Sequence, residues 1–557
     1  MSETETESEA GEQAPLRVEI VPLDTREQTM GQVSRAILTH PALRQHFPAA
    51  DLWMASFDVD DKEDDPWFVT TVHDTVTGRS VLVQGPIDDP GSLTVTPTKL
   101  QWPPTEDEFA WAVSILADHG AGLLDGDDTV TYRPSPSLAN IEMPDGTVDR
   151  VITVGIRSAT PEPADRVVGV RTSDGEIITD LPGTPGPSSG DCGVPPGEEC
   201  AGDAGTSQAR VRVLQGETAL WDFVVVRPRV SSGINGSGVE LRAVDYKRQR
   251  VLARAHLPIL SERYEPDGAG GGCGPAYRHW QHEESCFDAS GADPVPGFRL
   301  CEAAPETVLE SGTDGGNFRG VAFWLDGEEL VVVSQLRSGW YRWVSEWRLH
   351  ANGTIRPRFG AAAARNGCTC HRHVHHAYWR FDFDILDPES NVVQEYNDPP
   401  VMGTGNWHTV RFEVRRDRDA DHGRYWRVRN TRASQGYSIV PGPVDGTADD
   451  FGAGDLWVLR FHADEVDDGQ PVTTDERRAR SQLDRLVSDE SVERRDLVVW
   501  YAAHLVHDDA GPGATAADLV GPDLVPYQWK EPPVTQAPYG PLAPPSEEDL
   551  QPPARPS

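Results

Sequence analysis

The spacing of apolar residues changes character along this chain. Within TREQTMGQVSRAILTHPALRQHF, Val33, Ile37 and Leu38 recur at helical spacing, which predicts a helix. WFVTTVHDTVTGRSVLVQG then alternates as two strands around a turn at Asp74–Gly78. The order repeats from Pro104: TEDEFAWAVSILADHG carries acids in its first turn and Gly at its end, as a capped helix does, and DRVITVGI and DRVVGVRTSDGEIITD follow as strands. Two small α+β units, 15–101 and 102–182, are expected. From about 207 to 530 the pattern is short β-rich runs such as ALWDFVVVRPRV, YWRFDFDIL and DLVVWYAAHLVH, separated by turn signals, with little helical period. That predicts a large antiparallel β-sandwich. The fold class is therefore mainly β, with two small α+β N-terminal domains. Residues 183–206, dense in Pro, Gly and Ser, read as a linker. The polar residues 1–14 read as disordered, and 531–557 as a Pro-rich arm.

A chain of 557 residues has room for several domains. Its formal net charge of −39 repels phosphate backbones, which excludes nucleic acid as a partner. Only four of the 50 basic residues are Lys (62, 99, 247 and 530); a saline cytoplasm and a codon bias toward Arg both account for this. No secretory leader and no apolar run of about 18 residues is seen, so no membrane span is expected. The seven Cys are scattered and odd in number, unlike a disulfide scaffold. Cys192 and Cys200 are expected as free thiols, and the protein as soluble and cytoplasmic.

The densest chemistry lies in Cys368-Thr-Cys-His-Arg-His-Val-His-His376. In a strand, residues two apart share a face, so His373 and His375 would present two imidazoles side by side, a start on a copper, zinc, iron or nickel site. A third ligand has to come from elsewhere. A solvated His-rich loop, or a Cys/His zinc site using Cys368 and Cys370, also accounts for the run. A second pair, His504 and His507, ends the strand DLVVWY.

HVHHAYWRFD resembles the copper amine oxidase pattern of His-x-His followed, four residues on, by Arg-x-Asp, with His373, His375, Arg380 and Asp382 in register. DLVVWYAAHLVH is similar to that family's segment whose third copper ligand lies six residues after a Tyr; that residue is His507, and His504 stands where Gly is usual. VLARAHLPILSERY ends in Tyr264, which the resemblance implies touches the cofactor. EWRLHANGTI is similar to a family strand that, counted back six from Trp347, gives Tyr341 as precursor of the quinone cofactor topaquinone.

The resemblance implies a copper amine oxidase catalytic sandwich over 207–530. It implies oxidation of a primary amine by O2 to aldehyde, ammonia and hydrogen peroxide through a quinone made from Tyr341, in a homodimer. A carboxylate in an apolar pocket would remove the substrate proton; Asp288 in CFDASG is the candidate. Asp382, Asp384 and Asp496 match acidic positions of a peripheral calcium site. The cofactor motif departs from the family's: Arg337, Trp340 and Arg342 replace its Thr, Asn and acid, while Gly339 and Tyr341 remain. The alternative is therefore a copper-binding relative without the quinone, with different copper chemistry or none.

Overall fold

A computed structural model describes residues 14–530 apart from short internal segments, the longest being 182–191, 265–275 and 508–518. The expected disordered N-terminus (to residue 13) and Pro-rich tail lie outside the described residues.

Both N-terminal helix-then-strand units form. In the first, helices Thr25–Thr39 and Pro41–His46 are broken at Pro41, because proline has no N–H to continue the ladder. They cover a five-stranded sheet containing the paired strands Trp67–Asp74 and Arg79–Pro86. Val33, Ile37 and Leu43 meet Phe68, Val72 and Val83 in its core. In the second, Thr105 and Glu108 form a reciprocal capping box on helix Glu106–His119. Ala112 and Leu116 of that helix pack on Ile152, Val154 and Val168 of a second five-stranded sheet. One boundary differs from expectation. Strand Leu16–Leu23 leaves the first unit and pairs with Gln208–Gln215 at the edge of the large sheet.

The rest is a sandwich of a ten-stranded and an eleven-stranded sheet. In the first, strands Gln249–Tyr264, His373–Phe383 and Leu497–His507 lie side by side and antiparallel. In the second, Glu329–Ser338, Tyr341–His350 and Ile355–Ala363 do the same. Their alternation divides side chains between two environments. Val499, Tyr501, Ala503 and Leu505 join Trp379 and Phe381 and meet Tyr341, Trp343 and Trp347 between the sheets. Val498, Trp500 and Ala502 pack on the outer face with Tyr378 and Trp457.

Two hairpins need glycine. Ser338 pairs directly with Tyr341, so Gly339 and Trp340 make a two-residue turn, and Gly339 has φ 61°, as its first position requires. Gly353 (φ 96°) lies against the Tyr246 ring, where a Cβ would come within 2.6 Å of ring carbon.

The cysteines overturn the free-thiol expectation. Cys192 is bonded to Cys370 and Cys200 to Cys286, and Cys368 is disulfide-bonded as well. A bonded Cys370 and Cys368 also remove the zinc alternative, which needs thiolates. The described residues of the expected linker are thus tied to the sandwich; Val194 even bridges to Ala364. Disulfides persist in oxidising surroundings, which argues against the cytoplasmic expectation. Among the described residues no helix is long and apolar enough to cross a membrane.

Candidate metal centre

Register builds the site. Tyr264, His373 and His507 stand in one row across three adjacent strands, and Glu262 stands opposite His375 in the next row but one. All these side chains enter the space between the sheets and are buried. His373 Nε2, His375 Nε2 and His507 Nδ1 converge, at 3.1, 3.1 and 3.3 Å from one another. One ion held at about 2.0–2.1 Å by each nitrogen needs ligand spacings of about 3–3.5 Å.

The protonation pattern points the same way. His373 Nδ1 lies 2.7 Å from the His371 carbonyl. A carbonyl only accepts, so Nδ1 carries the proton and Nε2 turns a lone pair inward. His375 Nδ1 lies 3.1 Å from the Glu262 carboxylate, whose negative charge favours the proton on that same nitrogen. Two lone pairs facing each other at 3.1 Å repel unless a cation lies between them. Burial pushes the His375 imidazole down to about 4 and that of His373 well below its ordinary value, so both are neutral, as ligation requires. Three imidazoles suit copper; the residues present fit that ion.

Tyr341 reaches this centre from the opposite sheet. Its hydroxyl lies 3.2 Å from His373 Nε2 and is hydrogen-bonded to the Tyr264 hydroxyl. Its ring stacks on Trp343 at 4.6 Å. Burial, then the charge of Glu262, pushes both phenols well above their ordinary value, so both are protonated.

Glu262 and His279 are absent from the sequence expectation. Burial alone would raise the Glu262 carboxyl, but His279, 3.3 Å away, and His375 outweigh it and hold it well below the usual range. The signal for Glu262 was available, two residues before Tyr264 on the same strand face. His279 Nδ1 meets Ser338 Oγ at 3.3 Å, and its ring lies edge-on to Tyr341 and Trp343.

The altered cofactor motif is resolved by alternation. Arg342 points away from Tyr341 and pairs through two hydrogen bonds, 2.6 and 2.7 Å, with Asp314. Arg337 pairs with Glu283. Trp340 is buried, its ring 5.8 Å from that of Tyr341. His504 and His507 part company: His504 turns to the other face, 2.7 Å from His376 and 3.2 Å from Asp455.

Two expectations need correction. Asp288 is exposed, and its backbone pairs with Glu306. Its neighbours Phe287 and Ala289 pack with Val333, Val344 and Ala362, on the face of the eleven-stranded sheet opposite to Tyr341. It does not occupy the apolar pocket a base needs. Asp382, Asp384 and Asp496 do converge, but the Lys62 ammonium lies among them, 2.5, 3.0 and 2.8 Å from one oxygen of each. A calcium ion does not fit where that nitrogen stands.

Comparison with known proteins agrees with this architecture. Residues 349–532 match the family model "Copper amine oxidase, enzyme domain", a stretch that contains the three histidines and begins after Tyr341. The fold is similar to a copper-containing benzylamine oxidase from Hansenula polymorpha (12% identity, 93% of this chain and 94% of that one, TM-score 0.54). It is also similar to a lysyl oxidase from Pichia pastoris (12% identity, 94% and 91%, TM-score 0.51). At these identities the likeness is one of fold. No curated protein sequence matches the chain.

Proposed function

We propose that this chain, whose residues 349–532 match the copper amine oxidase enzyme domain, is a member of that family and oxidises a primary amine with O2, releasing aldehyde, ammonia and hydrogen peroxide. The carrying observation is the convergence of His373, His375 and His507 on one point, with the Tyr341 hydroxyl 3.2 Å from the nearest of their nitrogens. Copper held there would supply the oxygen chemistry that converts the Tyr341 ring to a quinone, and the quinone would supply the carbonyl that an amine attacks.

The chain's own residues prepare that chemistry. The His371 carbonyl and Glu262 hold two ligand rings in the tautomer that offers Nε2 inward. Tyr264 is hydrogen-bonded to the Tyr341 hydroxyl and fixes the direction of its C–O bond. Trp343 holds the ring plane by stacking. The walls between the sheets exclude water, which strengthens each of these polar contacts. A homodimer, implied by resemblance, is part of the same proposal.

One observation favours a second reading, copper chemistry with Tyr341 left as a tyrosine. The ring is fully buried, stacked on Trp343 and bonded through its hydroxyl, which leaves it little freedom to be modified. Copper analysis, a redox-cycling quinone stain of the denatured protein, and peroxide release on a panel of primary amines separate the two. The first reading expects all three to be positive; copper with no stain and no peroxide overturns it and leaves the second.

A further inference from the structure

Lys62 follows strand Asp58–Asp60 of the first α+β unit, and its partners are more than 300 residues away in the sandwich. Its ammonium donates hydrogen bonds to the carboxylates of Asp382 and Asp496 and forms an ion pair with Asp384 at 3.0 Å. The Phe461 ring covers the nitrogen at 4.1 Å, a cation–π contact. The Lys62 side chain is only 13% exposed. Lysine is one of four in a chain of 50 basic residues. At this position its compact charge does what a planar guanidinium cannot, seating on three converging oxygens.

We infer that Lys62 is the resident cation of the Asp382–Asp384–Asp496 cluster: a charge carried by the chain takes the place of a divalent ion and fastens the first N-terminal unit to the sandwich. The same segment carries a second fastening of opposite polarity, since Asp58 pairs with Arg242 at 2.8 Å and Arg254 at 3.2 Å. Three carboxylates outnumber the one ammonium, with further positive charge from Arg380, 3.7 Å from Asp382, and from the field of Arg250. Burial, then Asp382, accordingly pushes Asp384 up to about 6 and Asp496 up to about 7. Removing the lysine charge leaves an uncompensated acidic cluster, which costs stability and opens a set of oxygens suited to calcium.

The test uses the full-length chain and calcium chloride as probe. By titration calorimetry the wild type is expected to take up no calcium at this cluster, and its unfolding midpoint to be unmoved by millimolar calcium. Stoichiometric uptake that disappears in Asp496→Asn overturns the inference. Lys62→Met is expected to lower the midpoint by about 5 °C and to regain part of that loss on adding calcium. A Lys62→Met protein as stable as wild type overturns it too. Should Lys62→Met fail to fold, Lys62→Met/Asp496→Asn, which removes charge of both signs, is expected to fold; equal failure of the double variant counts against the inference.

Discussion

His373 and His507 face each other across one register position of adjacent antiparallel strands, their inward nitrogens 3.1 Å apart. This pairing joins residues 134 apart in the chain. It predicts that His507→Ala loses most bound copper, whereas His504→Ala, three residues away on the outer face, keeps it. Metal analysis of the two purified variants checks the contrast. Full copper occupancy in His507→Ala would remove the third ligand from the proposal.

Tyr341 gives the second prediction. Tyr341→Phe keeps the ring stacked on Trp343 and removes only the hydroxyl between Tyr264 and His373. Copper content is expected to be retained, while quinone stain and amine-dependent peroxide are both lost. Stain persisting in this variant would mean that another residue carries the cofactor.

Glu262 faces His375, a proposed copper ligand, without being one of the three converging residues. Glu262→Gln keeps the shape and removes the charge facing His375 and His279. Losing such an outer partner weakens metal affinity by about 10–100-fold. Competition for copper against a chelator of known affinity measures this directly; an unchanged affinity would make Glu262 a packing residue only.

Two buried histidines away from the centre set a pH dependence. Burial, then Arg150, pushes His73 down to about 4, and burial likewise pushes His282 down to about 4 against its bond to Ser231. Between about pH 6.5 and 4 the unfolded chain binds protons at these positions and the folded chain does not. Stability therefore falls as pH drops through that window, by about 1.4 kcal/mol per pH unit for each histidine. Chemical unfolding of wild type and His282→Gln at a series of pH values is expected to give a shallower slope for the variant. Parallel slopes would show that His282 titrates alike in both states.

Local periodicity made much of this legible. The two-residue repeat put His373 and His375 on one face, the capping residues marked helix Glu106–His119, and the β-rich runs marked the sandwich. What it could not reach depends on which strands become neighbours. Glu262 matters only because its strand lies beside that of His375. Asp288 failed as a base because its segment lies across the eleven-stranded sheet from Tyr341, a distinction no spacing carries. The bonds Cys192–Cys370 and Cys200–Cys286 join residues 178 and 86 apart, and the cluster around Lys62 is just as non-local. Arg342 looked like a reversed charge at the cofactor; one step of a pleated strand turns it to Asp314.

A counter-ion that belongs to the chain cannot be washed out. Chelators, dialysis and swings in mineral supply strip a bound divalent metal, but they leave an ammonium tethered by its own backbone where it was. With Lys62 in place, the corner where the small unit meets the sandwich is insulated from the composition of the medium, whereas the three histidines between the two sheets would depend on a metal acquired from outside.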